Sequence, residues 1–285
     1  MTSRFTIAAL IVMVWQRSAL KNCTIHEWRQ GLLLAICGGL GMWLQADALA
    51  FTKASTCAFL TQAYCVLLPI AAAIRSRSLP RPSVWFAVLL VVIGIAYLSG
   101  VRLDDLRLGR GEIESLLCSI AFTMQILCLD VPKFRNNRPF AVCFIMFAGI
   151  AVMTLPFTLF LAPNLPAVSA ALLAPNAILI VIALAILCSV IAYHLMNRWQ
   201  PLVSPVQAVL TYSMEPVFTA GFTLFLPALV SLWLGCDLKN ESITQAMIIG
   251  GLCITCANLI IIKFPHVHPI TNPEFPTTRE NQDPL

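Results

Sequence analysis

Charge is what this 285-residue sequence has least of: Asp, Glu, Lys and Arg together make up 11% of it, against about a quarter in an average soluble domain. With 59% of its residues hydrophobic, a soluble fold has no means of hiding the apolar surface. Ten-residue stretches that alternate apolar with polar, the mark of an outer-membrane barrel, are missing, and Pro, Gly and Ser lie inside the long apolar runs. Collagenous and disordered classes are excluded by the same composition. An all-α integral membrane protein is what these absences leave. Enzyme signatures are missing as well: there is no G-x4-G-K-[ST] loop for an ATP-driven pump, no H-E-x-x-H pair and no G-x-S-x-G elbow. The chain is therefore expected not to be an enzyme.

Most of the eleven cysteines, among them Cys37, Cys57, Cys65, Cys118, Cys143 and Cys188, sit within apolar runs, where a small buried hydrophobe is the ordinary role. Cys253 and Cys256 form one C-x2-C, but no second ligand pair accompanies it, so two packed thiols are expected and neither a metal nor a cofactor. The net charge of +5 is spread singly or in threes between apolar runs, which argues against a nucleic-acid partner. The expected partners are a small-molecule substrate and the lipid bilayer, with a homodimer as the candidate assembly.

Apolar runs fall at 5–16 (A), 31–51 (B), 54–74 (C), 83–100 (D), 112–130 (E), 138–161 (F), 176–196 (G), 203–227 (H) and 243–263 (I). At about 20 residues per crossing, nine runs predict about nine transmembrane helices. The apolar stretch from Ala228 to Gly235 reads as an exit segment or tilted continuation of run H past Pro227. Run A is as short as a signal-peptide core, but Trp15, Gln16 and Arg17 stand where a small-x-small cleavage site belongs, so it reads as a retained short span. Residues 265–285 are polar and proline-rich, which predicts a disordered tail with His266 and His268 solvated.

Basic residues divide unequally between alternate loops. Arg17, Lys21, Arg29, Arg75, Arg77, Arg81, Lys133, Arg135, Arg138, Arg198, Lys263 and Arg279 make twelve on one side, against six (Arg4, Lys53, Arg102, Arg107, Arg110 and Lys239) on the other. The richer side is cytoplasmic by the positive-inside rule, which predicts a cytoplasmic C-terminus and, with nine spans, an external N-terminus. The stretch Ala58 to Leu68 ending in Pro69 pairs with Pro205 to Glu215 ending in Pro216, an offset of 147 residues. Carried outward, this matches A, B, C and D to F, G, H and I and leaves E to open the second half. An incomplete 5+5 inverted repeat is expected, with four helices in residues 1–110 and five in 111–264.

Arg4-Phe5-Thr6-Ile7-Ala8-Ala9-Leu10, Ala54-Ser55-Thr56-Cys57-Ala58 leading to Leu68-Pro69, and above all Ser213-Met214-Glu215-Pro216-Val217-Phe218 resemble EamA-type members of the drug/metabolite transporter superfamily. The resemblance spans residues 3–263 and implies a ten-helix, exporter-like carrier of two inverted five-helix repeats with both termini cytoplasmic. Two departures are visible. The family's first helix is absent, which accounts for the external N-terminus and the 4+5 count. The acidic residue often found after the fourth and ninth helices is also missing, with Asp237 as its one substitute.

Glu215 is the only acid in the middle of an apolar run. An ionised carboxylate there costs at least ~2.5 kcal/mol on insertion scales, so a retained one faces a cavity or a partner. Pro216 cannot donate to the Tyr212 carbonyl, and Pro69 leaves the Cys65 carbonyl in the same position, so both prolines are expected to break their helices beside a substrate site. The candidate substrate-binding or coupling residues are Glu215, Tyr212, Gln62, Tyr64, Trp43, Tyr193, His194 and Gln207, with Pro69 and Pro216 as the breaks. His194 is the candidate for proton coupling. Taken singly, the polar groups other than Glu215, with Gln45, Gln125 and Asn258, read better as interhelical glue, and Asp47 and Asn197 as wet run ends. Gly38, Gly39, Gly41, Gly94, Gly250 and Gly251 are expected to let helices approach closely. The function expected is alternating-access transport of a small metabolite or amphipathic organic compound across the cytoplasmic membrane. The competing readings are a lipid-modifying membrane enzyme and a non-transporting membrane subunit.

Overall fold

The computed structural model describes residues 1–77, 79–100, 109–161, 164, 166, 172–234, 239–240 and 242–263, and the regular elements among them are all helical. The 101–108 loop, Asp237 and the 265–285 tail lie outside the described residues.

Each apolar run becomes helix. Run A is α1 (Thr2–Trp15) and run B is α2 (Ile25–Ala48). The start of α2 is written in its sequence: the Glu27 amide donates to the Thr24 hydroxyl at 3.2 Å, and the Thr24 amide donates to the Glu27 carboxylate at 2.7 Å. Run C divides into α3 (Ala54–Thr61) and α4 (Tyr64–Ser76). Run D is α5 (Pro82–Ser99), opened by Pro82 and closed by Gly100 in the left-handed conformation at φ 59°. Runs E and F are α6 (Arg110–Leu129) and α7 (Pro139–Leu161). Run G holds three pieces in line: α8 (Pro175–Ala185), a π-helical segment Ile186–Ile191 and α9 (Ala192–Trp199). Run H gives α10 (Pro205–Tyr212), capped by Ser204 and Gln207, then α11 (Glu215–Thr223). After a 59° bend it continues as α12 (Leu226–Leu234), and run I is α13 (Gln245–Lys263).

Among the described residues seven helical segments are long and apolar enough to cross a membrane, and the bent pair of run H makes an eighth. The ninth expected span falls short. With 14 residues α1 rises about 21 Å, less than the ~30 Å hydrocarbon core. Large apolar side chains such as Ile36, Phe86, Leu89, Leu252 and Leu259 point outward, as a lipid-facing surface requires. The chain is a multi-pass helical membrane protein.

Its buried apolar residues fall into two clusters. Phe5, Ala8 and Val12 of α1 pack with Leu34 of α2, Leu129 of α6, Met146, Phe147 and Ile150 of α7 and Val190 of the π segment. Cys65 and Leu68 of α4 pack with Val84, Val88 and Val91 of α5, Ile126 of α6, Val209 and Leu210 of α10 and Ile254, Ala257 and Ile261 of α13. The first cluster thus combines runs A and B with F and G, the second C and D with H and I, and α6 reaches both.

Within the second cluster α5 and α13 meet at two of the expected glycines. A Cβ on Gly250 would lie 2.6 Å from the Gly94 carbonyl oxygen, and one on Gly94 would lie 2.8 Å from that of Gly250. Both obstacles are backbone, so neither can rotate away. Gly250→Val is therefore expected to lower stability by about 1–3 kcal/mol or more through overpacking. The check is the thermal midpoint of monodisperse protein in detergent, where a wild-type midpoint would remove the contact from the account.

The ends of the runs carry the ion pairs. Glu27, only 2% exposed, accepts from the Arg138 amide at 3.0 Å and from its guanidinium at 2.7 and 2.9 Å, which ties the start of α2 to the start of α7. Asn137 donates to Gln30 beside it at 2.7 Å, and Arg75 pairs with Asp130 at the same end of the bundle. Asp47 and Asn197 are not simply wet. Asp47 pairs with Arg110 at 2.5 Å, and Asn197, 7% exposed, donates to the Tyr193 carbonyl at 2.8 Å.

Candidate functional site

Runs C and H are interrupted in the same manner. The helix stops at Thr61 and resumes at Tyr64 in one, and stops at Tyr212 and resumes at Glu215 in the other, an offset of 151 residues. Their backbone hydrogen bonds correspond one by one: Ala63 N–H to Leu60 O matches Met214 N–H to Thr211 O, and Val66 N–H to Ala63 O matches Val217 N–H to Met214 O. Cys65 N–H, which donates to the Gln62 carbonyl, has no counterpart because Pro216 stands in its place. Two sequence expectations change here. The break in run C lies at Gln62 and Ala63, and α4 continues through Pro69, so Pro69 does not break its helix. The residue in the place of Glu215 is consequently Tyr64 rather than Leu68, which is fully buried in the second cluster.

A cavity of about 1060 Å³ opens between the two clusters at these breaks. Its lining runs from Arg4, Ser99 and Thr223 near helix ends, and Thr244 just before α13, down to Gln125, Ile126 and Tyr212. Below it, the Tyr212 hydroxyl donates to Gln200 at 2.7 Å, and the Gln200 amide donates to the Ile126 carbonyl at 2.9 Å. These bonds close the floor on the side of the bundle that carries Glu27–Arg138 and Arg75–Asp130.

Two charged side chains face the cavity, Glu215 and Arg4. Glu215 is exposed, and it has no hydrogen bond or ion pair among the described residues. Arg4 is delivered by α1, whose Phe5, Ala8 and Val12 face packs in the first cluster and turns the preceding residue toward run G. There the π register matters. The Ala192 amide bonds the Leu187 and Ser189 carbonyls, so the Cys188 carbonyl, its partner in a regular α-helix, is released. Arg4 takes that carbonyl at 2.8 Å and the Ser189 hydroxyl at 2.7 Å. Tyr193, one turn on, lines the same cavity as Gln125, Arg4 and Glu215.

Of the candidates from the sequence, Glu215, Tyr212, Gln62, Tyr64, Tyr193 and Pro216 line the cavity. Trp43, His194 and Gln207 lie elsewhere. The Trp43 ring packs on Phe157 with centroids 5.0 Å apart, His194 stacks on Phe140 at 3.9 Å, and Gln207 is occupied in capping α10 through Ser204. His194 is thus not among the residues that line this cavity. Sequence reasoning missed Arg4, which it counted as a loop charge, and gave Gln125 and Gln45 only the role of interhelical glue.

Paired helix breaks are where transporter folds place their solute sites. Residues 1–100 match the EamA-like transporter family. That stretch holds α1 to α5, and so Arg4 and the first break with Gln62 and Tyr64; Glu215 and the second break lie beyond it. Over 260 residues the chain is also 24% identical to a protein named an uncharacterized transporter from Archaeoglobus fulgidus, covering 91% of this chain and 75% of that protein. A solved structure titled only as the crystal structure of a protein superposes with a TM-score of 0.69 at 17% identity, over 92% of this chain and 86% of the other. The EamA-type resemblance read from the sequence thus holds over residues 1–100 by family match, and the fold of the solved structure is shared along 92% of the chain.

Proposed function

We propose that this chain is a secondary carrier of the drug/metabolite transporter superfamily that moves small metabolites or amphipathic organic compounds across the cytoplasmic membrane by alternating access, in the export direction. The observation that carries the reading is the cavity bounded by two matching helix breaks, with an unpartnered carboxylate on one of them. A broken span leaves backbone carbonyls without intrahelical donors, and a polar, accessible space is what makes that tolerable within the membrane. The matching breaks support an inverted repeat in which A to D correspond to F to I. The two apolar clusters, each drawing on both halves, supply the bodies that rock against each other about α6.

The basic asymmetry puts the Glu27–Arg138 end in the cytoplasm and the mouth of the cavity outside. On this reading the structure is an outward-facing form with a closed cytoplasmic floor, and the C-terminus is cytoplasmic. Glu215, on the second break, is the residue that couples solute movement to a proton or to an exchange substrate. Reconstituted protein is expected to catalyse counterflow of at least one small metabolite in proteoliposomes without nucleotide. Lipid turnover with no flux of any tested solute would overturn the carrier reading in favour of an enzyme.

A further inference from the structure

Five cations gather at one end of the bundle with no acid to match them. The chain entering α2 carries Arg17 and Lys21, the start of α2 carries Arg29, and the connection from α6 to α7 carries Lys133 and Arg135. All five are exposed, and none has an ion pair among the described residues. The two carboxylates within residues 17–30 and 130–138, Glu27 and Asp130, are already taken by Arg138 and Arg75. Folding brings these two stretches together. Arg138 donates to the Glu27 carboxylate at 2.7 Å and to the Asn22 carbonyl at 2.8 Å, and Asn137 donates to Gln30 at 2.7 Å. The turn Pro132–Phe134 packs against α2 as well. Like charges held side by side repel, and an anion between them removes that cost.

Arg29 shows which kind of anion fits. Ile25, Trp28, Arg29, Leu32 and Ile36 recur at the three- and four-residue intervals that place them on one face of α2, and all five are exposed. The opposite face, with Glu27, Gln30, Gly31 and Leu34, is buried. The apolar members of the outer face require hydrocarbon around them, so Arg29 is a cation within a lipid-facing stripe, in the second turn of its span. Its stem lies along such a stripe while the guanidinium reaches the headgroup level. Trp28 is 45% exposed beside it and Trp15, which closes α1 at the same end, is 68% exposed, where the aromatic rings of a membrane interface belong. A soluble anion would meet the cations but leave the stripe without a partner.

We infer that this corner binds an anionic phospholipid, whose phosphate is received by Arg29 and the neighbouring cations and whose acyl chain lies on the outer face of α2. The leaflet alone rests on the topology proposed above, which makes it the cytoplasmic one, where anionic lipids act on juxtamembrane basic residues. The site itself stands whether or not the chain is a carrier. A lipid held here bridges the segment before α2 and the α6–α7 connection, and so reinforces the Glu27–Arg138 tie between α2 and α7.

The test follows the thermal midpoint of purified full-length protein in detergent as phosphatidylglycerol, phosphatidylcholine or inorganic phosphate is added. One cation near an anionic surface is worth about fivefold in affinity, so phosphatidylglycerol is expected to act at concentrations at least about tenfold below phosphatidylcholine. Inorganic phosphate in the same range should have no effect. Arg29→Gln should remove about fivefold of the lipid preference, and the triple variant that adds Lys133→Gln and Arg135→Gln should abolish it. Arg29→Lys, which keeps the charge, should retain most of it. Lys239→Gln, in the connection from α12 to α13 at the other end of the bundle, should leave it unchanged. All these side chains are exposed, and monodisperse elution of each variant separates loss of lipid from loss of fold. Equal action of the two lipids, or an undiminished preference in the triple variant, would overturn the inference. So would an equal response to inorganic phosphate, the mark of a soluble-anion site, or a loss in Lys239→Gln as large as in Arg29→Gln, the mark of diffuse attraction. Lipid preference in a protein without flux would remove the carrier reading and keep the site, and flux with equal response to both lipids would do the reverse.

Discussion

Glu215→Gln is expected to reduce transport by at least about tenfold or to abolish its pH dependence, while membrane insertion and abundance stay at the wild-type level. The amide keeps the shape and the hydrogen-bonding capacity of the carboxylate and removes its charge, and an interaction with a charged group is worth about 1.5–3 kcal/mol. Because Glu215 has no hydrogen bond or ion pair among the described residues, its replacement should spare the fold. Leu68→Ala is the contrast: Leu68 is fully buried in the second apolar cluster, and its truncation should cost about 2–5 kcal/mol of stability with no specific effect on pH dependence. Flux across a pH series in proteoliposomes separates the two. Wild-type flux for Glu215→Gln at every pH, with only lowered abundance for Glu215→Leu, would make the carboxylate structural.

Breaking the Glu27–Arg138 clamp is expected to destabilise the protein by about 3–5 kcal/mol, the cost of leaving a buried charge without its partner. Three hydrogen bonds from Arg138 end on the Glu27 carboxylate, which also closes the cap at Thr24. Arg138→Ala strands a carboxylate that is 2% exposed, whereas Glu27→Ala strands a guanidinium that is 41% exposed and still donates to the Asn22 carbonyl at 2.8 Å. The arginine variant should therefore be the worse of the two, and the double variant should lose clearly less than the sum of the singles. Thermal midpoints of the four proteins in one detergent provide the cycle. Additive losses would mean that the pair contributes nothing beyond its separate side chains.

The helical runs were legible because bilayer chemistry leaves few alternatives: twenty apolar residues between charged breaks become a span whatever they pack against. The caps go unread in the sequence although their signal is just as local: Thr24 with Glu27 and Ser204 with Gln207 are three residues apart, and Gln207 reads as a site residue instead. Glu215 stood out because an acid in the middle of an apolar run has a cost that sequence alone reveals. Pro69 misled because a proline removes one hydrogen bond without obliging the helix to stop, and α4 absorbs it. The nearby break at Gln62 and Ala63 carries no proline, so only the backbone bonds reveal it. Trp43, His194 and Gln207 were singled out by residue type, but the direction each faces is set by the rotation of its helix, which the weak amphipathicity of membrane spans does not encode.

By itself the sequence determined the class of molecule, the approximate course of its spans and the one carboxylate worth testing first, since each follows from local composition and the cost of charge in hydrocarbon. The tertiary structure decided the placement of Arg4. Its partner is a backbone carbonyl, released 184 residues away by a change of helical register, and neither the release nor the approach of α1 to it leaves a mark in the order of residues. The pairing of Tyr64 with Glu215 was decided in the same way, because helix breaks correspond by where hydrogen bonds fail rather than by where prolines stand.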